Sequence, residues 1–266
     1  MLSGFRLWFG VLPARHTKLV ITGIRMNDSL KNKNYVIAGG SKGIGLALSQ
    51  QLLSSGASVH VYSRSVGELV ASDNLSHHIC DFSSDDFEQA ELPDEIHGAV
   101  YCPGTINLRS FRALKLDDFR HDFEVNTMGA VKFLKGVQAG LKRGAGEQPT
   151  SIVLFSTVAV GKGLPMHASI AAAKGAIEGL GRSLAAELAP HTRVNCLAPA
   201  LTDTPLAANF FSSDEKRAAM DAKYPLKRSG TPADLANMAA FLLGPDSGWI
   251  TGQVLGVDGG MSAIGG

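Results

Sequence analysis

Short apolar runs rich in β-branched residues alternate with longer amphipathic stretches along almost the whole chain. The short runs predict buried strands, whereas stretches with apolar positions at helical spacing predict helices. A chain that alternates strands with helices in this way builds a parallel sheet covered by helices on both faces. The sequence therefore predicts an α/β fold with a doubly wound, seven-stranded parallel sheet. The predicted strands are residues 34–38, 57–63, 77–80, 97–102, 151–156, 192–197 and 253–257.

The first predicted strand runs directly into a glycine-rich turn at residues 39–45, and a helix pattern follows. Glycines let the backbone approach a pyrophosphate, and a helix N-terminus supplies free N–H groups and the positive end of a dipole. The arrangement predicts dinucleotide binding and a Rossmann fold. The turn residues assigned to the cofactor are Gly39, Ser41, Lys42, Gly43, Ile44 and Gly45.

The end of the second strand indicates which dinucleotide binds. A carboxylate there holds the ribose 2′-hydroxyl of NAD, whereas a basic residue accepts the 2′-phosphate of NADP. This chain has Ser63 followed by Arg64, and Lys42 lies near the same predicted pocket. Two cations without a carboxylate predict NADP(H). The alternative is that both are solvated surface charges.

The chemistry is concentrated in residues 151–188, where a strand, a Gly/Pro loop and an Ala-rich helix follow one another. Thr157 ends the strand, and Lys174 lies early in the helix. His167, Ile170 and Lys174 are spaced so that they share one helix face. A hydroxyl that faces a lysine and a histidine can form a catalytic site, although plain packing explains the same pattern.

Two further stretches carry predictions. Residues 116–141 predict one long amphipathic helix that is interrupted near Asn126. Residues 205–229 are irregular and mixed in polarity, and a loop of that length often covers a functional site. Apolar side chains in this loop predict an apolar substrate. They are Leu206, Phe210, Phe211 and Met220.

Composition restricts the possible functions. Net charge is +1, but residues 1–27 carry +4 and the remainder −3, and a mildly acidic body does not indicate nucleic-acid binding. No apolar run has the length of a membrane span.

The three cysteines, Cys80, Cys102 and Cys196, lie in apolar contexts without metal-ligand spacing, so no metal site is expected. Reduced buried thiols predict a reducing compartment, the cytoplasm.

The first 30 residues do not share the pattern of the rest of the chain. They are basic, aromatic and interrupted by Gly10 and Pro13. They are expected to be a disordered or non-native extension that precedes one domain at residues 31–266. A transit peptide is the alternative, because such peptides are Arg-rich and acid-poor; a start site at Met26 is the simpler explanation.

Several motifs stand in a fixed order along the chain. Residues 199–204 read PALTDT, residues 225–230 read PLKRSG, and residues 250–260 open with ITGQ and close with DGG. Together with the glycine turn, these motifs span residues 33–262. Over this range the chain resembles the short-chain dehydrogenase/reductase family, in its conventional single-domain branch.

The resemblance implies roles for individual cofactor-site residues. Arg64 and Lys42 match the basic positions of NADP-preferring members, and Asp81 matches the aspartate that contacts adenine. The nicotinamide amide is held in that family by a loop that corresponds here to Pro199 and Thr204. Family members assemble as homodimers or homotetramers, through the helices that correspond to residues 116–141 and the helix from residue 168.

The active centre departs from the family pattern of Ser, Tyr and Lys. Asn126 and Lys174 match the catalytic asparagine and the lysine that also holds the nicotinamide ribose, and Thr157 replaces serine. The proton-donating tyrosine belongs four residues before the lysine, where this chain has Ile170. One alternative donor is His167, in the register that the family's enoyl-thioester reductases use. The other is Lys174 with a water held by Thr157 and Asn126.

The sequence thus predicts an NADP(H)-dependent oxidoreductase that acts on a carbonyl, an alcohol or an activated alkene, with an altered proton donor. Hydride delivery depends on cofactor position, which the chain retains. The alternative is a catalytically silent NADP(H)-binding sensor or partner subunit. His167 without a role and Thr157 bonded only to its own turn would favour that alternative.

Overall fold

A seven-stranded, entirely parallel sheet forms the centre of the protein, with strand order β3-β2-β1-β4-β5-β6-β7. The computed structural model describes residues 28–87 and 90–264, so most of the predicted N-terminal extension lies outside the described residues. The predicted fold class is confirmed. The strands are β1 Asn34–Ala38, β2 Ser58–Ser63, β3 Leu75–Ile79, β4 Gly98–Tyr101, β5 Thr150–Phe155, β6 Thr192–Pro199 and β7 Val254–Val257.

Helices cover both faces of the sheet, so the central strands β1, β4, β5 and β6 are buried on two sides. The helices are α1 Gly43–Ser54, α2 Leu116–Phe123, α3 Gly129–Gly144, α4 Val158–Lys162, α5 Ala168–Leu188, α6 Asp214–Asp221 and α7 Pro232–Leu243. One core lies under α3 and α5 and includes Phe133 and Ile177. The other lies under α1 and α7 and includes Leu48 and Leu235, together with Leu30 from the start of the described chain.

The predicted interruption near Asn126 is a π-helical segment, Glu124–Met128, that joins α2 to α3. Such segments insert an extra residue into a helix and occur frequently at functional sites. Here the segment buries Asn126 completely. The Thr127 hydroxyl donates to the Ala173 carbonyl oxygen at 3.0 Å, which fixes the segment against α5.

The segment between β6 and α7 is more regular than the sequence predicts. Residues 205–229, called the lid segment below, contain a 3₁₀ helix, Pro205–Phe211, and the helix α6. The prediction of an irregular loop was therefore wrong at these positions. The Ser213 side chain accepts the Lys216 N–H at 3.3 Å and caps α6, a local signal that supports a helix without any fully buried residue.

Both ends of the lid segment meet at a short backbone pairing, called the neck below. Thr202 and Gly230 form an isolated parallel bridge. The Asp203 N–H donates to the Gly230 carbonyl oxygen at 2.8 Å, and the Gly230 N–H donates to the Leu201 carbonyl oxygen at 3.2 Å. The lid segment is thus a loop closed at its base.

Candidate active site

A cavity of about 480 Å³ opens at the carboxyl edge of the sheet, beneath the lid segment. Its walls are mostly apolar, and none of the described residues that line it is an aspartate or glutamate. Leu206, Phe210 and Met220 line it, as the sequence predicts for the lid segment. Phe211 does not, because its ring instead packs under the Arg217 guanidinium, 4.7 Å from the ring centre. In open parallel sheets, ligands bind at this edge of the strands.

Lys174 lies in α5 on the wall of this cavity, with only 6% of its surface exposed. Burial disfavours the ammonium form and lowers the pKa of Lys174 to about 8, while the nearby thiols of Cys102 and Cys196 act in the opposite direction. The amine therefore exchanges protons near neutral pH. This property suits a group that holds or supplies a proton during catalysis.

Thr157 follows β5 and begins α4, which brings its hydroxyl to the same cavity. Its oxygen accepts the Ala159 N–H at 3.3 Å. The hydroxyl therefore does bond its own turn, but only as an acceptor, and its proton stays available for an oxygen in the cavity.

His167 and Ile170 complete the predicted group, since both line the cavity with Thr157 and Lys174. Ile170 is 6% exposed and offers no proton. The His167 Nδ1 lies 2.7 Å from the Pro165 carbonyl oxygen. A carbonyl oxygen only accepts, so Nδ1 carries a hydrogen and Nε2 is the atom left for proton exchange.

The Asn126 amide and the Lys174 Nζ both lie close to Gly104. The Asn126 Nδ2 donates to the Thr105 hydroxyl at 2.9 Å and to the Asp122 carbonyl oxygen at 2.7 Å. Both amide hydrogens are thereby used, and Oδ1 has no hydrogen-bond partner in the described part of the chain. A Cβ on Gly104 would lie 3.2 Å from that oxygen and 3.5 Å from the Lys174 Nζ, so a side chain here would crowd the amide oxygen.

The glycine turn forms a cradle that fits a pyrophosphate. Gly39 and Gly43 adopt positive φ values of 72° and 56°. A Cβ on Gly45 would overlap the Gly39 carbonyl oxygen, so the helix start approaches the strand end as closely as backbone allows. Lys42 precedes α1 without capping it through its side chain, which leaves the first N–H groups of the helix free for an anion. Ile44 lines the cavity beside them.

The predicted 2′-phosphate residues lie close to this turn. The loop after β2 folds back, so that the Glu68 N–H donates to the Ser41 carbonyl oxygen at 3.1 Å. A Cβ on Gly67 in the same loop would come within 3.2 Å of the Lys42 side chain. Lys42 and Arg64 are both exposed there, and neither forms a salt bridge with a described residue.

Asp81 follows β3 at the same edge of the sheet. Its Oδ1 accepts the Ser83 hydroxyl at 2.7 Å and the Ser83 N–H at 3.0 Å. These bonds, with a smaller contribution from Arg64, hold the pKa of Asp81 below its usual value. The carboxylate is thus ionised and anchored by its own turn. Its contact with adenine stays a prediction.

The loop after β6 reaches across to the glycine turn. Pro199 is the last residue of β6, and a Cβ on Gly43 would lie 3.3 Å from the Thr204 Cβ. The Thr204 hydroxyl donates to the Thr202 carbonyl oxygen at 3.3 Å. Both predicted nicotinamide residues therefore line the cavity near Ile44.

Tyr224 is a cavity residue that the sequence does not reveal. It is 4% exposed and lines the cavity from the lid segment. Burial raises the pKa of Tyr224, and a hydrogen bond with the Leu201 backbone partly offsets this effect. The residue precedes a recognised motif, but nothing in its sequence context indicates on which side of the loop its ring packs.

The fold and the cavity together define a Rossmann-fold protein with a candidate active site at the carboxyl edge of its sheet, and comparisons with known proteins identify its family. A family model described as Enoyl-(Acyl carrier protein) reductase matches residues 38–262. The 2-(S)-hydroxypropyl-CoM dehydrogenase 3 of Xanthobacter autotrophicus is 33% identical, over 90% of this chain and 100% of its own. The chain therefore belongs to the short-chain dehydrogenase/reductase family, as the motifs predict.

Other relatives and solved structures support the same family assignment. The 3-oxoacyl-[acyl-carrier-protein] reductase FabG of Chlamydia muridarum is 30% identical, over 89% of this chain and 100% of its own. The Pseudomonas aeruginosa RhlG/NADP active-site complex superposes with a TM-score of 0.81 at 25% identity, over 90% of this chain and 100% of that one. A Brucella melitensis short-chain dehydrogenase/reductase superposes with a TM-score of 0.80 at 27% identity, over 89% of this chain and 99% of that one.

Two further observations concern the described residues as a whole. None of their helices combines the length and the apolar composition that a membrane span requires. Among the same residues, no group of three His, Cys, Asp or Glu side chains is placed to ligate a metal ion.

Proposed function

We propose that this protein is an NADP(H)-dependent oxidoreductase that acts on a carbonyl or alcohol, or on an activated alkene, with an apolar body. The observation that carries the proposal is the meeting of Lys174 and Thr157 in one apolar cavity beside the glycine turn. A nicotinamide is consistent with the relatives, which include a complex described with NADP. The bound cofactor would supply the hydride.

The chain's own residues would position the reactants and manage the proton. The glycine turn and the start of α1 would hold the pyrophosphate, and Arg64 with Lys42 would pair with the 2′-phosphate. The Thr157 hydroxyl would donate to the substrate oxygen, because its proton is not used elsewhere. Lys174 would hold the nicotinamide ribose. The proton would come from the Lys174 ammonium through a water, or from His167 Nε2.

The pH dependence of reduction separates the two proton sources. With Lys174 as the source, the rate is expected to be flat below pH 8 and to fall above it, since the pKa of Lys174 is about 8 and the ammonium form is the active one. The measurement is the initial rate of NADPH oxidation between pH 6 and 10 in the wild type and His167→Gln. A fall in rate with rising pH that disappears in His167→Gln would assign the proton to histidine.

A substrate panel tests the activity itself. Purified protein and NADPH are mixed with matched 3-oxoacyl and trans-2-enoyl thioesters and with simple ketones, and absorbance of the reduced nicotinamide is followed. Calorimetric titration of NADPH on the same sample measures binding. Substrate-dependent oxidation supports the proposal. Binding without oxidation of any substrate in the panel would instead indicate the silent NADP(H)-binding module.

The cofactor preference depends on Arg64 in this proposal. Charge-assisted hydrogen bonds contribute about 1.5–3 kcal/mol, so Arg64→Gln is expected to weaken NADPH binding by about 10- to 100-fold and to leave NADH binding nearly unchanged. The measurement is the ratio of the two Kd values. Arg143→Gln is the charge-matched control, since Arg143 pairs with Asp94 at the opposite edge of the sheet. An equal loss for both cofactors would contradict the assignment.

We also propose that the protein is a homodimer or homotetramer of the cytoplasm. An apolar groove of about 390 Å³ lies between α3 and α5, lined by Leu134, Leu180 and Leu184 among others. These are the helices that the family resemblance assigns to subunit contact. Light scattering of the purified protein tests the assembly, and a monomer at micromolar concentration would contradict it.

A further inference from the structure

The interior between α2, the loop after β4 and the π-helical segment holds a carboxyl group with no cation beside it. Asp122, in the last turn of α2, is 0% exposed. Its Oδ1 accepts the Thr105 hydroxyl at 2.6 Å, whereas Oδ2 has no hydrogen-bond partner among the described residues. No salt bridge of the described residues includes it. Burying such a group is costly, so its retention calls for an explanation.

The chain of hydrogen bonds from Asn126 through Thr105 to this carboxyl has a fixed direction. The Asn126 Nδ2 only donates, so the Thr105 oxygen accepts from it and the Thr105 proton must go to Asp122. The second Asn126 hydrogen goes to the Asp122 carbonyl oxygen at 2.7 Å. The amide therefore cannot turn over without losing both bonds. Its oxygen is left facing the space beside Gly104, where the Lys174 Nζ also lies.

We propose that Asp122 and Thr105 are a positioning pair that orients the Asn126 amide so that its oxygen faces the Lys174 ammonium group. A dipole aimed in this way stabilises the charged amine in an apolar cavity whose described lining residues include no carboxylate. The catalytic meaning of the pair rests on the proposed function, in which Lys174 holds the ribose and the proton. The orientation itself does not depend on that function.

Other groups around Lys174 do not replace this arrangement. Cys102 and Cys196 act on Lys174 electrostatically, His167 lines the same cavity, and Glu178 lies one helical turn further along α5. Burial raises the pKa of both thiols to about 12, so they are neutral at physiological pH. Glu178 accepts the Ser156 hydroxyl at 2.7 Å and pairs with Arg182 at 3.7 Å. Only Asp122 is connected to Lys174 through an oriented amide.

Two substitutions weaken the orientation with little change in shape. In Asp122→Asn, the new amide can donate to the Thr105 oxygen and so competes with Asn126 for that acceptor, whereas Thr105→Val removes the acceptor altogether. In both variants the Asn126 amide keeps only its bond to the backbone carbonyl oxygen of residue 122, so its dipole is held less firmly towards the ammonium and the pKa of Lys174 should fall. Thr105→Ser keeps the hydroxyl and should restore the wild-type behaviour.

The test measures the reactivity of Lys174 in the cofactor-free full chain. Acetic anhydride acetylates only the neutral amine, and peptide mass spectrometry gives the rate at Lys174 between pH 6 and 10. The Asn126 oxygen makes no hydrogen bond to a described residue, so the weakened interaction is worth less than a hydrogen bond, and acetylation at pH 7 should be about two- to fivefold faster in both variants. Asp117→Asn is the control. It removes the same charge from the same helix, but Asp117 is exposed and pairs with Arg120.

The outcomes separate this inference from the proposed function. Faster acetylation in Asp122→Asn and Thr105→Val, with Thr105→Ser and Asp117→Asn like the wild type, supports the positioning pair. Unchanged or slower acetylation in folded Thr105→Val overturns it, and that variant alone decides if Asp122→Asn does not fold. Acetylation needs neither cofactor nor substrate. A wild-type protein without turnover would therefore contradict the proposed function, while the acetylation rates would still test the positioning pair.

Discussion

Ile170→Tyr is expected to raise the rate of NADPH-dependent carbonyl reduction by about 10²- to 10⁴-fold. Ile170 lines the cavity with Thr157 and Lys174, one helical turn before the lysine. A phenol there would face an amine that burial holds at a pKa of about 8, and the ammonium form lowers the pKa of a neighbouring phenol. General acid catalysis contributes this magnitude when a donor is placed on the reacting oxygen.

Ile170→Phe is the matched control for this gain. It adds the same ring without a hydroxyl, so it reproduces any repacking of the cavity but supplies no proton. The measurements are kcat/KM for reduction of a 3-oxoacyl thioester and Kd for NADPH in all three proteins. If both variants bind NADPH and Ile170→Tyr is no faster than Ile170→Phe, the missing acid is not what limits this active site.

Gly45→Ala is expected to lower the free energy of unfolding by roughly 3 kcal/mol and to abolish NADPH binding. Its Cβ would overlap the Gly39 carbonyl oxygen, a backbone atom that cannot rotate away. The helix start must then move off β1, and the pyrophosphate cradle opens. Chemical denaturation measures the first effect and calorimetry the second.

Gly179→Ala is the control for this substitution. Gly179 is also helical, but a Cβ there meets nothing within 4 Å among the described residues. Alanine should therefore stabilise α5 by about 0.5–1 kcal/mol, because glycine loses more backbone entropy on folding. Equal stability loss in the two variants would show that the close approach at Gly45 has no special cost.

The sequence predicts the fold and the grouping of the site because both depend on regular patterns. Apolar runs locate all seven strands to within about two residues. Parallel strands end at one edge of the sheet, so Thr157, which follows β5, and Lys174, which lies in α5, were expected to meet. The glycine turn is recognisable because only backbone fits between Gly39 and Gly45.

Other features escape sequence analysis for physical reasons. Helix α6 has no buried residue, so it shows no apolar periodicity, and it is held by the Ser213 cap and by the contact of Arg217 with Asp203. Asp122 lies in a helix whose other acids are exposed or half-buried, and its partner Thr105 is distant in sequence. Nothing in local composition distinguishes a buried carboxyl from a solvated one. The direction of the Tyr224 ring is likewise decided by tertiary packing.

The neck gives the lid segment a modular character. Thr202 and Gly230 pair at its base, and the Asp203 carboxylate and the Arg217 guanidinium meet at 2.7 Å just above it. Several residues of the lid segment line the cavity, but the segment contributes little to the two cores. Segments bounded in this way tolerate replacement, because the loop ends are already held together. Exchange of residues 205–229 for the matching segment of a relative should therefore transfer substrate preference and leave the cofactor cradle and the sheet intact.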